Sequence, residues 1–153
     1  MKITLDKGAK MPTRAHEWDA GLDLYTPRDV YVSESRGHGS AYCSSVNVRN
    51  YSGNEVIDTG VHVEIPEGYV GLIKSKSGLN VKHGLTAEGV IDSHYTGSIR
   101  VKIYNHTSQS YRFKAGDKIA QLVIVPCLLP DLELVDSLEE TDRGANGFGS
   151  TGR

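Results

Sequence analysis

Apolar and polar residues alternate along much of the chain, most regularly between Gly89 and Asn105. In the second half of this stretch, Ile99, Val101 and Ile103 are separated by polar residues. A period of two residues predicts a half-buried strand. The first half is a turn that closes at Gly97, so the whole stretch indicates a β-hairpin.

The predicted turn carries one carboxylate, Asp92, and one aromatic ring, Tyr95. A hairpin would place both at its mouth, where the backbone edges of the two arms are free to bind a planar ligand. An ordinary hairpin whose aspartate bonds to turn amides has the same local pattern. The hairpin alone therefore leaves a structural and a ligand-binding interpretation open.

Similar alternation elsewhere, punctuated by 17 glycines, favours many short strands over long helices. At most one short helix is predicted, after residue 77, and residues 107–115 are predicted to be a polar connector. A chain of 153 residues with this pattern predicts one all-β domain. The other predicted strands cover residues 1–5, 20–25, 29–32, 41–49, 55–65, 69–73 and 118–125.

Two polar side chains interrupt apolar strands. Asp23 lies between Leu22 and Leu24, where a charge is costly to bury unless it is hydrogen-bonded or faces a site. Strand alternation also allows Asp23 to face solvent while the leucines face the core. Gln121 needs partners for its amide, and either a neighbouring backbone or a ligand could supply them.

A second polar segment, residues 74–79, combines two ammonium groups, two hydroxyls and a glycine. It lies where a strand ends and the predicted helix begins, and helix-start amides and cations both favour an anion. A solvated basic turn is the alternative interpretation. The spacing of a P-loop is absent.

The last residues, 139–153, are rich in glycine and cannot form a core, so composition predicts a flexible end. The same segment is similar to a flap ordered by a ligand. Glycines let backbone N–H groups approach phosphates, Arg143 adds a fork of donors and Phe148 offers a stacking face.

Composition excludes several classes of protein. A net charge of −2 argues against a duplex nucleic-acid binder. The absence of a long apolar run predicts no membrane association and a soluble, cytoplasmic protein, with the nucleus left open. Two cysteines without a CxxC pair and six scattered histidines indicate neither a disulfide framework nor zinc.

Five segments, taken in this order, resemble the ordered motifs of the trimeric dUTPase family. The resemblance implies an all-β, jelly-roll-like subunit of a homotrimer whose sites combine motifs from more than one subunit. It divides the chain into a β domain at residues 1–138, with an extended hairpin near 36–52, and a tail at 139–153 that closes over a neighbouring site. The five segments are residues 20–25, 76–79, 89–105, 116–124 and 143–152.

The resemblance also implies hydrolysis of dUTP to dUMP and pyrophosphate, which removes dUTP and supplies dUMP for thymidylate synthesis. Mg²⁺ would be bound to the triphosphate, with Asp23 holding a metal-bound water and no protein atom ligating the metal. Asp92 would be the general base for water attack on the α-phosphorus. Tyr95 would pack on the deoxyribose and reject a 2′-hydroxyl.

The remaining implied positions bind the substrate. The phosphates would be held by side chains and amides before and after the core hairpin, and the uracil by hairpin backbone and a stacked ring. The positions implied for phosphate binding are Lys76, Ser77, Gly78, Gln121, Arg143, Gly149 and Ser150. The positions implied for uracil binding are Gly89, Val90, Ile91, Ile99, Arg100 and Phe148.

The chain departs from the family pattern at three places. Lys76 stands where the family usually has arginine, which replaces a bidentate fork with a point charge. No asparagine precedes the turn in residues 85–89, so the side chain that helps select uracil is missing. The region 36–52 is longer than its counterpart in most members, and its role is open.

Two other functions compete with dUTP hydrolysis. A dCTP deaminase shares the fold, but its pattern places a glutamate where this chain has Lys102. A trimer that binds nucleotide and an unidentified regulatory protein is a different class of function. The retained motifs do not exclude such a second role.

Overall fold

The computed structural model describes residues 1–35, 53–142 and 144–145. These ranges contain ten strands and one helix, which confirms the expected all-β, jelly-roll-like fold with a single short helix. The strands are β1 Lys2–Leu5, β2 Gly21–Tyr25, β3 Val30–Val32, β4 Gly53–Asp58, β5 Val61–Glu64, β6 Tyr69–Lys74, β7 Leu85–Ile91, β8 Arg100–Asn105, β9 Tyr111–Phe113 and β10 Lys118–Pro126, and the helix is α1 Ser77–His83.

All strand pairings in these ranges are antiparallel. A six-stranded sheet has the order β2-β10-β6-β7-β8-β4, and two small sheets pair β1 with β5 and β3 with β9. In this sheet β10 lies between β2 and β6, both of which are distant from it in the sequence. The order therefore brings residues near 23, 75 and 121 onto three adjacent strands.

The core follows the predicted alternation. In β8, Val101 and Ile103 are buried, while the residues between them are more exposed. Val61 and Val63 in β5 show the same pattern. Burial of such apolar surface contributes about 25 cal/mol per Å² to folding, so the strands are held mainly by their inward faces.

Two sequence predictions are corrected. Residues 107–115 are not wholly a connector, because they contain β9, whose Phe113 is buried against Tyr111. Residues 55–65 are not one strand, because the chain turns at Thr59 and Gly60 between β4 and β5. The predicted strand 41–49 lies outside the described residues.

The chain after β10 contains no strand or helix in its described part, residues 127–142 and 144–145. Six apolar side chains in this segment are exposed: Leu128, Leu129, Leu132, Leu134, Val135 and Leu138. We call residues 127–138 the C-terminal arm. No helix within the described residues has the length and apolar character needed to cross a bilayer.

Candidate active site

Three charged side chains form a buried group at one end of the six-stranded sheet. Asp23 in β2 is 3% exposed, and Lys76, the residue before α1, contacts its Oδ1. Lys118 in β10 places Nζ 2.6 Å from Oδ2. A buried carboxylate needs such partners, so the interpretation in which Asp23 faces solvent is wrong. We call these three residues the lysine–aspartate cluster.

The cluster is charged at neutral pH. Burial alone raises the pKa of the Asp23 carboxyl, but contacts with Lys118 and Lys76 outweigh burial and hold that pKa below its ordinary value of 3.8. The contact with Asp23 raises the pKa of the Lys118 ammonium in turn. One negative and two positive charges give a net positive site, which attracts an anion such as a phosphate.

A β-bulge brings Lys118 and Gln121 to the same side of β10. Gln121 lies opposite Asp23 and Lys118 lies opposite Tyr25, with a shift in register between Lys118 and Ala120. Asp23 and Tyr25 are two residues apart and so share one face of β2. Because residues three apart in a regular strand face opposite ways, the bulge is what sets Lys118 and Gln121 on one face.

The Gln121 amide is oriented by a neighbouring backbone. Its Nε2 donates to the carbonyl of Ser75 at 3.0 Å, as one of the two sequence interpretations predicted. Gly21 leaves room for the other end of the amide, because a Cβ there would lie 2.1 Å from Oε1. A side chain at position 21 would therefore displace the Gln121 amide from this position.

The segment predicted to bind an anion runs from the end of β6 into the first turn of α1. Ser77 and Gly78 are exposed at the start of that helix. Ser75 Oγ donates to the carbonyl of Ala87 and accepts its N–H, which ties the segment to β7. Lys76 is thereby directed back toward Asp23.

The central hairpin is open at its mouth. β7 and β8 pair only from Leu85–Asn105 to Ala87–Ile103. Nearer the turn, β7 pairs only with β6, and β8 pairs only with β4. The edges of residues 88–91 and 100–102 face each other there without pairing. Gly89 is exposed, and Val90 is 64% exposed. The geometry thus contains the two free backbone edges expected from the sequence.

Asp92 and Tyr95 lie in the turn at this mouth, and both are exposed. The Tyr95 hydroxyl donates to the Ser98 carbonyl at 2.9 Å, which folds the ring back over the turn. A Cβ at Gly97 would lie 2.6 Å from the ring carbon Cζ. Glycine at 97 is therefore what allows Tyr95 to adopt this position.

Ile99 differs from the other hairpin residues predicted to contact uracil. Its N–H donates to the Val61 carbonyl at 2.8 Å, and its carbonyl accepts from the Thr59 N–H and hydroxyl. Its side chain is fully buried. The main-chain groups of Ile99 are thus used within the chain, and Arg100 is the predicted position on this arm that remains at the open edge.

Two separate groups of predicted residues result. Lys76 and Gln121 lie with Asp23, whereas Asp92 and Tyr95 lie at the hairpin mouth. Ser75 lies beside Ala87, and Asp92 is five residues further along the chain, about 17 Å away at roughly 3.3 Å per strand residue. One chain does not bring the two groups together. Arg143, Phe148, Gly149 and Ser150 lie outside the described residues.

Sequence reasoning did not identify Lys118 as a site residue. The available signal was Asp23 itself, because a buried carboxylate requires cations, but the bulge that directs Lys118 toward it is not readable from alternation. Ser75, which bonds to both Gln121 and Ala87, was likewise not selected.

No group of three or more histidine, cysteine, aspartate or glutamate side chains that could hold a metal occurs among the described residues. Asp23 is the carboxylate best suited to a metal-bound water. Lys118 lies near its Oδ2, but that shielded oxygen has no aligned hydrogen-bond donor. The residues therefore fit a hydrated cation that arrives with an anionic ligand.

The described residues thus form an all-β fold with an open hairpin, an exposed carboxylate and a net positive cluster. The family model described as dUTPase matches residues 7–152. The deoxyuridine 5′-triphosphate nucleotidohydrolase of Corynebacterium efficiens is 41% identical, over 99% of this chain and 76% of that protein. The chain therefore belongs to the dUTPase family.

Solved structures agree with this assignment. The dUTPase of Staphylococcus bacteriophage 80alpha with dUPNHPP has a TM-score of 0.82 and 33% identity, covering 99% of this chain and 98% of that chain. That phage protein is described as controlling transfer of virulence genes by a G protein-like mechanism. A variant dUTPase from phage phi11 of S. aureus, described with a structural Mg(II) ion, has a TM-score of 0.73 and 30% identity, covering 91% and 98% of the two chains.

Proposed function

We propose that this chain hydrolyses dUTP to dUMP and pyrophosphate, thereby removing dUTP and supplying dUMP. The observation that carries the proposal is the open mouth of the β7–β8 hairpin, where unpaired backbone edges lie beside Asp92 and Tyr95. A uracil ring has donors and acceptors along one edge, as a strand does, so it can bond to such backbone. Membership of the dUTPase family supports the same substrate.

Asp92 acts as the general base in this proposal. Its carboxylate is exposed at the hairpin mouth, where it can accept a proton from a water in line with the α-phosphorus. The Tyr95 ring, folded over Gly97, packs on the deoxyribose and leaves no space for a 2′-hydroxyl. Gly89, Val90, Ile91 and Arg100 supply backbone contacts to the base.

The lysine–aspartate cluster binds the phosphates. Lys76, with Ser77 and Gly78 at the start of α1, donates to phosphate oxygens, and Gln121 joins the same network. Its net positive charge supports this assignment because the triphosphate is strongly anionic. Arg143, Gly149 and Ser150 complete the phosphate contacts, and Phe148 stacks on the uracil.

Mg²⁺ is part of the proposal as an ion bound to the triphosphate. When bound, it neutralises phosphate charge and helps to orient the α-phosphorus for attack. Asp23 would hold a metal-bound water when the ion and the triphosphate are present. The net positive charge of the cluster disfavours a free cation, so metal and triphosphate bind together.

The active unit is a homotrimer in which different subunits supply the two groups of residues. The roughly 17 Å of extended strand between Asp92 and the Ser75 segment supports this, because the two groups of one chain then lie at separate places on the sheet. The exposed leucines of the C-terminal arm also favour burial against another copy. The tail, residues 139–153, then closes over a neighbouring site.

Pyrophosphate release from dUTP, dCTP, dTTP and UTP, each with and without Mg²⁺, tests the proposal. Release confined to dUTP and dependent on Mg²⁺ is expected. Ammonia from dCTP would instead indicate a deaminase. Lys102, at the position where the deaminase pattern has glutamate, extends its Nζ over the Tyr104 ring, 4.9 Å from the centroid, so no observation favours that reaction.

A partner-binding role is a second candidate. It is favoured by the likeness to the phage 80alpha dUTPase, described with a G protein-like mechanism. Residues 36–52, the region longer than in most members, are where we would look for such a contact. Loss of partner binding but not of turnover on shortening that region would support two separable roles.

A further inference from the structure

His62 connects the N-terminal segment to the turn that carries Asp92 and Tyr95. It lies in β5, between buried Val61 and Val63, with its side chain 27% exposed on the outer face. Its Nδ1 lies 2.9 Å from the Thr96 carbonyl oxygen. Its Nε2 lies 3.3 Å from the Asp6 carboxylate, is shielded from solvent and has no aligned hydrogen bond, so the contact with Asp6 is an ion pair that forms when the ring is protonated.

Both partners of the His62 ring are hydrogen-bond acceptors. A carbonyl and a carboxylate cannot donate, and a neutral imidazole carries only one N–H. The ring can therefore satisfy Thr96 and Asp6 together only when both nitrogens are protonated. Water cannot replace Asp6 as the partner, because Nε2 has no solvent access.

Thr96 lies directly after Tyr95, in a part of the turn with little packing beneath it. His62 and Thr96 both line a cavity of about 250 Å³ between β1, β5 and the turn. The far end of the turn is fixed separately, since Ser98 donates to Asp58 and Ile99 bonds to Thr59 and Val61. The bond from His62 adds a constraint next to Tyr95, whose N–H donates to the Asp92 carbonyl and whose hydroxyl donates to the Ser98 carbonyl.

We propose that His62 is a positioning residue whose doubly protonated ring joins Asp6 to Thr96 and so fixes the turn that presents Asp92 and Tyr95. Loss of the Nδ1 proton breaks the bond to Thr96 and loosens the turn, and Asp6 favours this tautomer because its carboxylate attracts the proton that stays on Nε2. The functional consequence rests on the roles proposed above for Asp92 and Tyr95. The coupling between the His62 ring and the turn is independent of those roles.

The charges around His62 determine the pH at which the ring loses its second proton. The bond to Thr96 and the charge of Asp6, with a smaller contribution from Asp58, raise the pKa of His62 above its ordinary 6.5. Lys2 and Glu64, on the same face, form a pair with each other, 3.0 Å apart. A raised pKa means that the contact is complete below 6.5 and is lost as the pH rises through the folded value.

NMR titration of the full-length assembled protein tests the coupling without relying on turnover. The His62 ring signals and the amide signals of Tyr95, Thr96 and Gly97 would be followed against pH. We expect one shared midpoint in the wild type, a lower shared midpoint in Asp6→Asn, and no transition of these amides in His62→Gln. His106→Gln, at a histidine bonded to Thr86 instead, is the matched control and should change nothing in the turn.

The kinetic arm measures kcat and KM for dUTP across the same pH range. The KM should rise as the pH passes the His62 midpoint in the wild type, and that inflection should move with Asp6→Asn and vanish with His62→Gln. The proposal would be overturned if the amide signals of the turn did not change as His62 titrates. It would also be overturned if Asp6→Asn left the midpoint of the His62 titration unchanged. An inactive protein that still shows the shared midpoint would disprove the proposed reaction and leave the coupling standing.

Discussion

The lysine–aspartate cluster and the hairpin mouth are built in opposite ways. In the cluster, Asp23 is almost fully buried and already has both lysines as partners. At the mouth, Asp92 is exposed and the two strand edges are unpaired with each other. The charges of the first region are paired within one chain, whereas the second region leaves backbone edges that are not paired with each other.

This difference matches what each region has to bind. Phosphates gain most from charges that are fixed before binding, because no reorganisation is then needed. A site discriminates between bases because a wrong base leaves some of the protein's hydrogen-bonding groups without a partner. The protein groups that contact the base must therefore be free of other hydrogen bonds before it binds. Changes in the two regions should therefore have different signatures in kcat and KM.

The largest expected effect is at the hairpin mouth. Asp92→Asn keeps the shape of the side chain and removes its basicity, so kcat should fall about a thousandfold while a non-hydrolysable dUTP analogue still binds. Glu67→Gln, at an exposed carboxylate in another turn, is the control and should retain full turnover. Undiminished turnover in Asp92→Asn would remove this residue from the mechanism.

Mixing variants tests whether the two regions of one site come from different chains. Asp92→Asn and Lys76→Ala trimers should each be nearly inactive, but random co-assembly should recover about a quarter of wild-type activity, because some sites then combine intact Asp92 and intact Lys76. Activity would be measured after co-expression and purification of mixed trimers. No recovery would mean that each chain supplies both groups to the same site.

Asp23→Asn should have the next largest effect. The amide leaves Lys76 and Lys118 close together without a negative charge between them, so repulsion moves Lys76 and kcat/KM should fall about a hundredfold. Because the Asp23 pKa lies below 3.8, the wild-type cluster should remain intact as the pH falls to that value and be lost only below it. Thermal melting from pH 3 to 6 in both proteins would measure this contribution, which should be absent from the variant.

Gly97→Ala should act on selectivity with the fold intact. The new Cβ would lie 2.6 Å from the Tyr95 ring, whose flexible side chain can move away. The preference for dUTP over UTP, measured as the ratio of kcat/KM values, should fall roughly tenfold. Tyr95→Phe keeps the ring and should retain more of the preference, so equal losses in both variants would argue against ring position as the cause.

Lys76→Arg should have the smallest effect. A guanidinium offers two parallel donors to a phosphate where the ammonium is a point charge, so KM for dUTP should fall about threefold with kcat nearly unchanged. Steady-state kinetics at fixed Mg²⁺ would show the change. A raised KM would indicate that the pairing with Asp23 requires the compact ammonium.

Much of the fold was predictable because the core residues alternate with polar ones. The alternation of Val101 and Ile103 predicted β8, and the segment after Lys76 predicted the position of α1. β9 was missed because a three-residue strand with Arg112 at its centre is too short to establish a period. Its assignment depends on Phe113, whose burial follows from tertiary packing.

The candidate site residues were chosen from the sequence, whereas their positions relative to one another depend on the fold. Asp92, Tyr95, Lys76 and Gln121 were selected from the sequence, but the separation of the two groups depends on sheet order. The role of Ile99 also depends on contacts with Thr59 and Val61 across the sheet. Such contacts between distant segments leave no local signal in the sequence.

The bulge in β10 accommodates one extra residue without changing the face on which the site residues lie. Lys118 and Gln121 are three positions apart, yet both lie on the face of β10 that carries the partners of Asp23 and Tyr25. A chain without Ile119 would place Lys118 and Gln121 two positions apart, and a regular strand would then present both to the same face without a bulge. The bulge therefore lets the strand contribute the buried side chain of Ile119 to the core between two residues that face the site.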